Sequence, residues 1–254
     1  QLNSQTREEK DRFSADISFV GSMYHKNSYD DIKDKLPPYL RGYFDAAMLA
    51  QLNIYGDNII DELLTVDILK QLSEFVDFRQ DKRAFSDIRL VFESTFLGFK
   101  LANIERVRTL NLLAKKNKVA LYTDEQDTSL INVDFKGTVD YMNDMPKVFN
   151  NSSINLNMTI RNIRTGIPLR VWDILGAGGF LLTNYQIELT DYFKNEESIV
   201  YYEDMYDCCK KAEYYLLHED KRRQIAAKGH ELVSKKHSYI NRVKYILDVI
   251  GKMS

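Results

Sequence analysis

The segment Thr165-Gly-Ile-Pro-Leu-Arg-Val-Trp-Asp173 gathers the groups best suited to holding an anion. Gly166 lets backbone approach a ligand closely. Pro168 suits the first position of a helix, whose free amides and positive dipole end favour negative charge. Arg170 adds a planar guanidinium matched to phosphate oxygens. Asp173 follows on the same helix face, where its carboxylate can accept hydrogen bonds from paired ribose hydroxyls. An anion site with a diol acceptor one turn deeper fits a nucleoside diphosphate. The same spacing also describes an ordinary i,i+3 surface pair, contributing only about 0.2–0.5 kcal/mol.

Two other turns carry related signals. Gly21-Ser22 ends a strand-like run and has Lys26 close behind it, a candidate phosphate-side loop. Gly137-Thr138 ends another run, and its backbone can meet a base edge or simply make a turn. Gly176-Ala-Gly-Gly179 follows a helix rather than preceding one, so it reads as a glycine helix stop, not a phosphate loop.

These turns need a scaffold that brings them to one edge. Six β-prone runs are visible: Asp16–Gly21, Val119–Thr123, Val133–Gly137, Ile154–Thr159, Phe180–Thr183 and Ser198–Tyr202. Helical patterns lie near Asp144–Phe149, Pro168–Leu175 and Glu188–Phe193. Met205, Cys208, Cys209, Ala212 and Leu216 form one apolar stripe, and Val243, Ile246, Leu247 and Ile250 repeat it. Alternation of this kind predicts an α/β, doubly wound, mostly parallel sheet that binds ligands beyond the carboxyl ends of its strands. Between the first two runs, Leu40, Tyr43, Phe44 and Ala47 share a helix face beginning at Pro37-Pro38, and helical patterns continue through Ile59–Phe75 and Ile88–Lys115. This stretch, about 36–116, is expected as a helical insertion after the first strand, with a separate subdomain as the alternative. Residues 1–15 are expected to be a polar lead or interdomain linker, and 16–254 the ligand-binding domain.

Bulk properties exclude several classes. The 254 residues carry a net charge of -2, so no global field recruits nucleic acid or an acidic membrane. No apolar run spans a bilayer. Gln1–Arg12 lacks a signal peptide's apolar core, and the absent initiator Met reads as a chain beginning inside a longer protein. The adjacent Cys208 and Cys209 fit a reducing cytoplasm better than a disulfide. The four histidines show no metal-ligand spacing, and neither a Gly-x-Ser-x-Gly elbow nor a Walker motif occurs. Without a Gly-x-Gly-x-x-Gly after the first strand, a dinucleotide enzyme is disfavoured.

Ile154-Asn-Leu-Asn-Met-Thr159, Gly166-Ile-Pro-Leu-Arg-Val-Trp-Asp173, Gly176-Ala-Gly-Gly-Phe-Leu-Leu-Thr-Asn184 and Glu188-Leu-Thr-Asp-Tyr-Phe193 resemble the C-terminal domain of spore-maturation CgeB-type proteins, group-1 glycosyltransferases of the GT-B fold. Asp16–Ser22 resembles that domain's first strand. The resemblance implies the Rossmann-like C-terminal half of a GT-B enzyme. That half would be metal-independent and without a cofactor, holding a nucleotide-sugar donor, UDP-sugar favoured, while an N-terminal domain outside this chain holds the acceptor. It assigns the donor to Gly21, Ser22, Lys26, Gly137, Thr138, Thr165, Gly166, Ile167, Pro168, Arg170 and Asp173. Two glutamates flank the donor in related enzymes; here Thr165 stands at the first position and Asp173 at the second, so one carboxylate is lost. The competing reading is a non-catalytic module whose insertion binds a protein, which requires an apolar patch on the insertion and a blocked crevice near Arg170.

Overall fold

The computed structural model describes Leu2, residues 5–76 and residues 87–253. Residues 77–86 of the expected insertion, and residues 1, 3 and 4 of the expected lead, lie outside the described residues.

All six expected strands form: β1 (Ala15–Val20), β2 (Val119–Tyr122), β3 (Asp134–Phe135), β4 (Ser152–Asn157), β5 (Leu181–Asn184) and β6 (Val200–Tyr202). They make one sheet in the order β3-β2-β1-β4-β5-β6, every neighbouring pair parallel. The order reverses between β1 and β4, the Rossmann-like arrangement in which the crevice opens at that switch. β3 is shorter than its run, with only Asp134 and Phe135 in register with β2.

Both faces are buried, as a parallel sheet requires. Ile17, Phe19, Val119, Leu121, Ile154 and Leu156 point to one side, where α7 (Phe99–Leu113) and α11 (Met205–Leu217) pack through Leu110, Leu113, Cys208, Ala212 and Tyr215. Ala15, Ala120, Tyr122 and Leu181 point to the other, against α8 (Met145–Asn151), α9 (Leu169–Gly176) and α12 (Glu219–Lys236). The stretch expected as lead or linker contains a helix, α1 (Arg7–Phe13), opened by a Thr6–Glu9 capping box. It docks through buried Phe13 and a Glu9–Lys147 pair at 2.6 Å.

Between β1 and β2 the chain is helical: α2 (Ser28–Ile32), α3 (Pro38–Gln51), α4 (Ile60–Leu63), α5 (Val66–Ser73), α6 (Ile88–Val91), a π-helical turn over Phe92–Gly98, and α7. The run expected over Ile59–Phe75 breaks at Thr65, whose hydroxyl caps α5 by accepting from the Ile68 amide. Leu40, Phe44, Met48, Leu64, Leu72, Phe92, Leu97 and Leu101 form a third core, separate from the two that sandwich the sheet. α7 belongs to two cores: Leu101 sits in the insertion's, Leu110 and Leu113 beneath the sheet.

After β5 a single turn, α10 (Leu189–Tyr192), leads toward β6, and α13 (Tyr239–Met253) ends the chain. The helix expected to carry the second apolar stripe forms as α13. Val243, Ile246, Leu247 and Ile250 are 53–62% exposed, so amphipathic spacing here marks an exposed face rather than a buried one. Among the described residues, no helix is long and apolar enough to cross a membrane.

Candidate functional site

The turns singled out from sequence partly converge. Gly21, Ser22, Thr138 and Arg170 line one cavity of about 280 Å3 beyond the ends of β1 and β2, together with Tyr122, Asp124, Tyr141 and Met145. Its inner wall is set by the sheet, since the Gly21 amide donates to the Tyr122 carbonyl at 3.0 Å. Gly137 has φ of +72° with open space around it, so glycine serves the turn there rather than a close approach.

Arg170 enters this cavity from the first turn of α9. It lies over the Phe149 ring at 5.5 Å and points one amino group at the Met145 sulfur. Burial pulls its pKa below the ordinary arginine value, opposed by the charge of Asp173 and by Tyr141. Arg170 and Asp173 form the i,i+3 pair at 3.2 Å, so the bland reading of their spacing describes a contact that exists. Asp173 also accepts from the Tyr141 hydroxyl at 2.9 Å, which pushes the Tyr141 pKa upward. It faces an adjoining cavity of about 790 Å3, which shares Tyr141 and Met145 with the first.

The remaining candidates stand apart from that cavity. Pro168 is the N-cap of α9, with Leu169 in the first helical position, one residue later than the sequence suggested. Thr165, Gly166 and Ile167 form the loop leading into it, and Gly166 adopts φ of +87°. The Gly166 amide donates to the Glu188 carboxylate at the start of α10. Lys26 is exposed and paired with Glu125 at 2.6 Å, which also holds His25 at 2.8 Å.

Sequence reasoning missed the groups that hold these loops. The Arg106 guanidinium, from α7, donates to the Ser22 carbonyl and, at 2.6 Å, to the Met158 carbonyl, tying the exits of β1 and β4 together across the switch. Desolvation lowers its pKa. Beside it Glu105 pairs with Arg161 at 2.8 Å, both side chains at most 4% exposed, and the Tyr55 hydroxyl donates to Glu105 at 3.1 Å. Asn103 donates to the Met23 carbonyl and to Asp127. The available signal was the phase of α7: Ala102, Glu105, Arg106, Thr109, Leu110 and Leu113 lie on one buried stripe, so two charges sit where apolar residues belong. Asn157, Thr159, Thr183 and Asn184 bond to one another and pin the exits of β4 and β5. Among the described residues, no group of three or more His, Cys, Asp or Glu side chains is arranged to hold a metal ion.

Two solved structures share part of this architecture, TarM and an S. aureus TarM variant in complex with fondaparinux, α-GlcNAc-glycerol and UDP. Each is 13% identical over 56% of this chain, with TM-scores of 0.45 and 0.46, and the chain spans 31% of the length of either. No curated protein matches. The profile of a family described as glycosyl transferase-like matches residues 103–248, from α7 through every strand except β1 and into α13. That span is more than half of the sequence and contains Gly137, Thr138 and the whole Thr165–Asp173 segment, and the chain belongs to the glycosyl transferase-like family.

Proposed function

We propose that this chain binds a nucleoside-diphosphate sugar, UDP-sugar favoured, and presents it for glycosyl transfer to an acceptor held by a second domain outside the chain. The observation that carries this reading is the convergence of Gly21, Ser22, Thr138 and Arg170, from two distant loops and the first turn of α9, on one strand-end cavity. A guanidinium only 25% exposed acts in a medium of low effective dielectric, where it stabilises charge more strongly than in water. Negative charge developing on the departing diphosphate is what Arg170 and the amides opening α9 neutralise, with Ser22 assisting and Lys26 reaching in once released from Glu125. No metal is required in this scheme. Asp173 keeps lone pairs beyond those used by Tyr141 and Arg170, and these accept from the ribose hydroxyls. An acid or base, where the reaction needs one, comes from the acceptor side, so the chain alone binds donor and turns over little. The free thiols of Cys208 and Cys209 support a cytoplasmic setting.

The competing partner-binding reading fares less well. The cavity beside Arg170 is open, and among the described residues the longest run of exposed apolar side chains lies on α13 rather than on the insertion.

Calorimetry with UDP, GDP and the matching nucleosides tests the proposal. One diphosphate binds, and Arg170→Ala weakens it about tenfold or more while changing nucleoside affinity little, as removal of a charge-assisted contact requires. Absence of heat with either diphosphate on folded protein, or equal losses for nucleoside and diphosphate, overturns it.

A further inference from the structure

We propose that Glu188, from the loop after β5, is the residue that reads the sugar of the donor and selects neutral hexosyl groups over acidic ones; this rests on the nucleotide-sugar reading above. Glu188 stands at the N-cap of α10, yet its side chain makes no capping bond there. Its Oε2 instead accepts from the Gly166 amide in the loop that leads into α9. Among the described residues it has no cationic partner, and no hydrogen bond to Oε1 accompanies the one to Oε2. A half-buried carboxylate is thus aimed across the strand-end rim, with one oxygen fixed by a neutral donor and the other available.

Its place relative to Arg170 decides what it meets. Along α9 the nucleoside side lies C-terminal to Arg170, toward Asp173 and Tyr141. Gly166 and Glu188 lie on the N-terminal side. Four residues separate Gly166 from Arg170, so their Cα atoms are within ~14 Å whatever path the loop takes. A carboxylate repels phosphate oxygens, so Glu188 is not a diphosphate contact. What remains on that side of the diphosphate is the glycosyl group, whose hydroxyls donate to the free oxygen. Ile187 and Leu169, 61% and 69% exposed, supply apolar surface close by in sequence for the C–H face of a pyranose ring. A uronic acid places a second carboxylate against Glu188, and like charges at close range disfavour binding.

The test uses the intact chain and calorimetry with UDP, UDP-glucose and UDP-glucuronate, or the GDP and GDP-hexose equivalents if GDP is the diphosphate bound. Glu188→Gln retains an acceptor for the Gly166 amide, so the loop stays formed. It is expected to bind the diphosphate as the parent does, to lose about threefold to tenfold on the neutral hexose, and to gain about tenfold on the uronate relative to the hexose. Glu188→Ala loses hexose affinity further. An unchanged hexose-to-uronate ratio in Glu188→Gln, or losses that are the same for diphosphate and diphosphate sugar, overturns the assignment while the nucleotide reading stands. Failure of the folded parent to bind either diphosphate overturns both.

Discussion

Two arginines near the strand ends do different work. Arg170 keeps a quarter of its side chain exposed and lines a cavity, whereas Arg161 is closed off against Glu105 and the Tyr55 ring, 3.5 Å from its centroid. Breaking such a closed pair from one side leaves a charge stranded. Glu105→Gln is expected to destabilise by about 3–5 kcal/mol, while Glu105→Met combined with Arg161→Met loses less, because no uncompensated charge remains. Urea denaturation of the three proteins checks the order, and a double variant as unstable as the single one contradicts it. Sequence exposed Arg170 through its neighbours, a glycine and a proline at a helix start. It hid Glu105 and Arg106 because a helical Glu-Arg pair ordinarily faces water. It hid the Asn157–Thr159–Thr183–Asn184 network because those residues meet only once β4 and β5 lie side by side.

At the level of elements, glycine separates helix faces that touch a neighbour from faces that do not. A Cβ on Gly229 of α12 would stand 2.4 Å from the Ser198 carbonyl oxygen and 2.8 Å from Leu175 of α9. On Gly42 of α3 it would meet nothing within 4 Å. Gly229→Ala is therefore expected to destabilise by about 1–3 kcal/mol and Gly42→Ala to stabilise by about 0.5–1 kcal/mol. Thermal unfolding reads both, and equal signs refute the packing account. The joint between α12 and α13 carries a titration. His237 packs on Trp172 at 5.0 Å and on Tyr192 at 5.4 Å, and burial, then Arg242, then Lys236 hold it below its ordinary pKa of 6.5. A depressed histidine favours the neutral ring when folded, so its contribution is complete above about 6.5 and is lost as pH falls toward the lowered value. Trp172 is the sole tryptophan, and its fluorescence is expected to change with a midpoint below 6.5 that vanishes in His237→Gln. A midpoint at or above 6.5 refutes this. The strands were legible because each is a short apolar run between polar turns. The stripe on α13 was legible but its exposure was not, because spacing identifies the apolar side of a helix without saying whether anything rests on it.

Over the whole molecule, doubly wound order followed from alternating strands and helices, and the insertion from a long helical interval between the first two strands. Its separate core was not legible, since helical periodicity does not say which helices share an interior. Three cores invite independent unfolding, but α7 is continuous through two of them. Denaturation followed by Trp172 fluorescence, on the sheet side, and by helical circular dichroism, which reports the insertion together with the helices around the sheet, is expected to give coincident curves. Two separated midpoints would show that α7 does not couple the parts.

That same helix reaches the cavity wall. Arg106 holds the carbonyl of Ser22, and Ser22 lines the pocket beside Arg170. Leu101 of α7 sits in the insertion's core, and Arg106, five residues on, bonds to the wall of the pocket. A tilt of the insertion is therefore expected to carry the Ser22 wall with it and to change the width of that pocket.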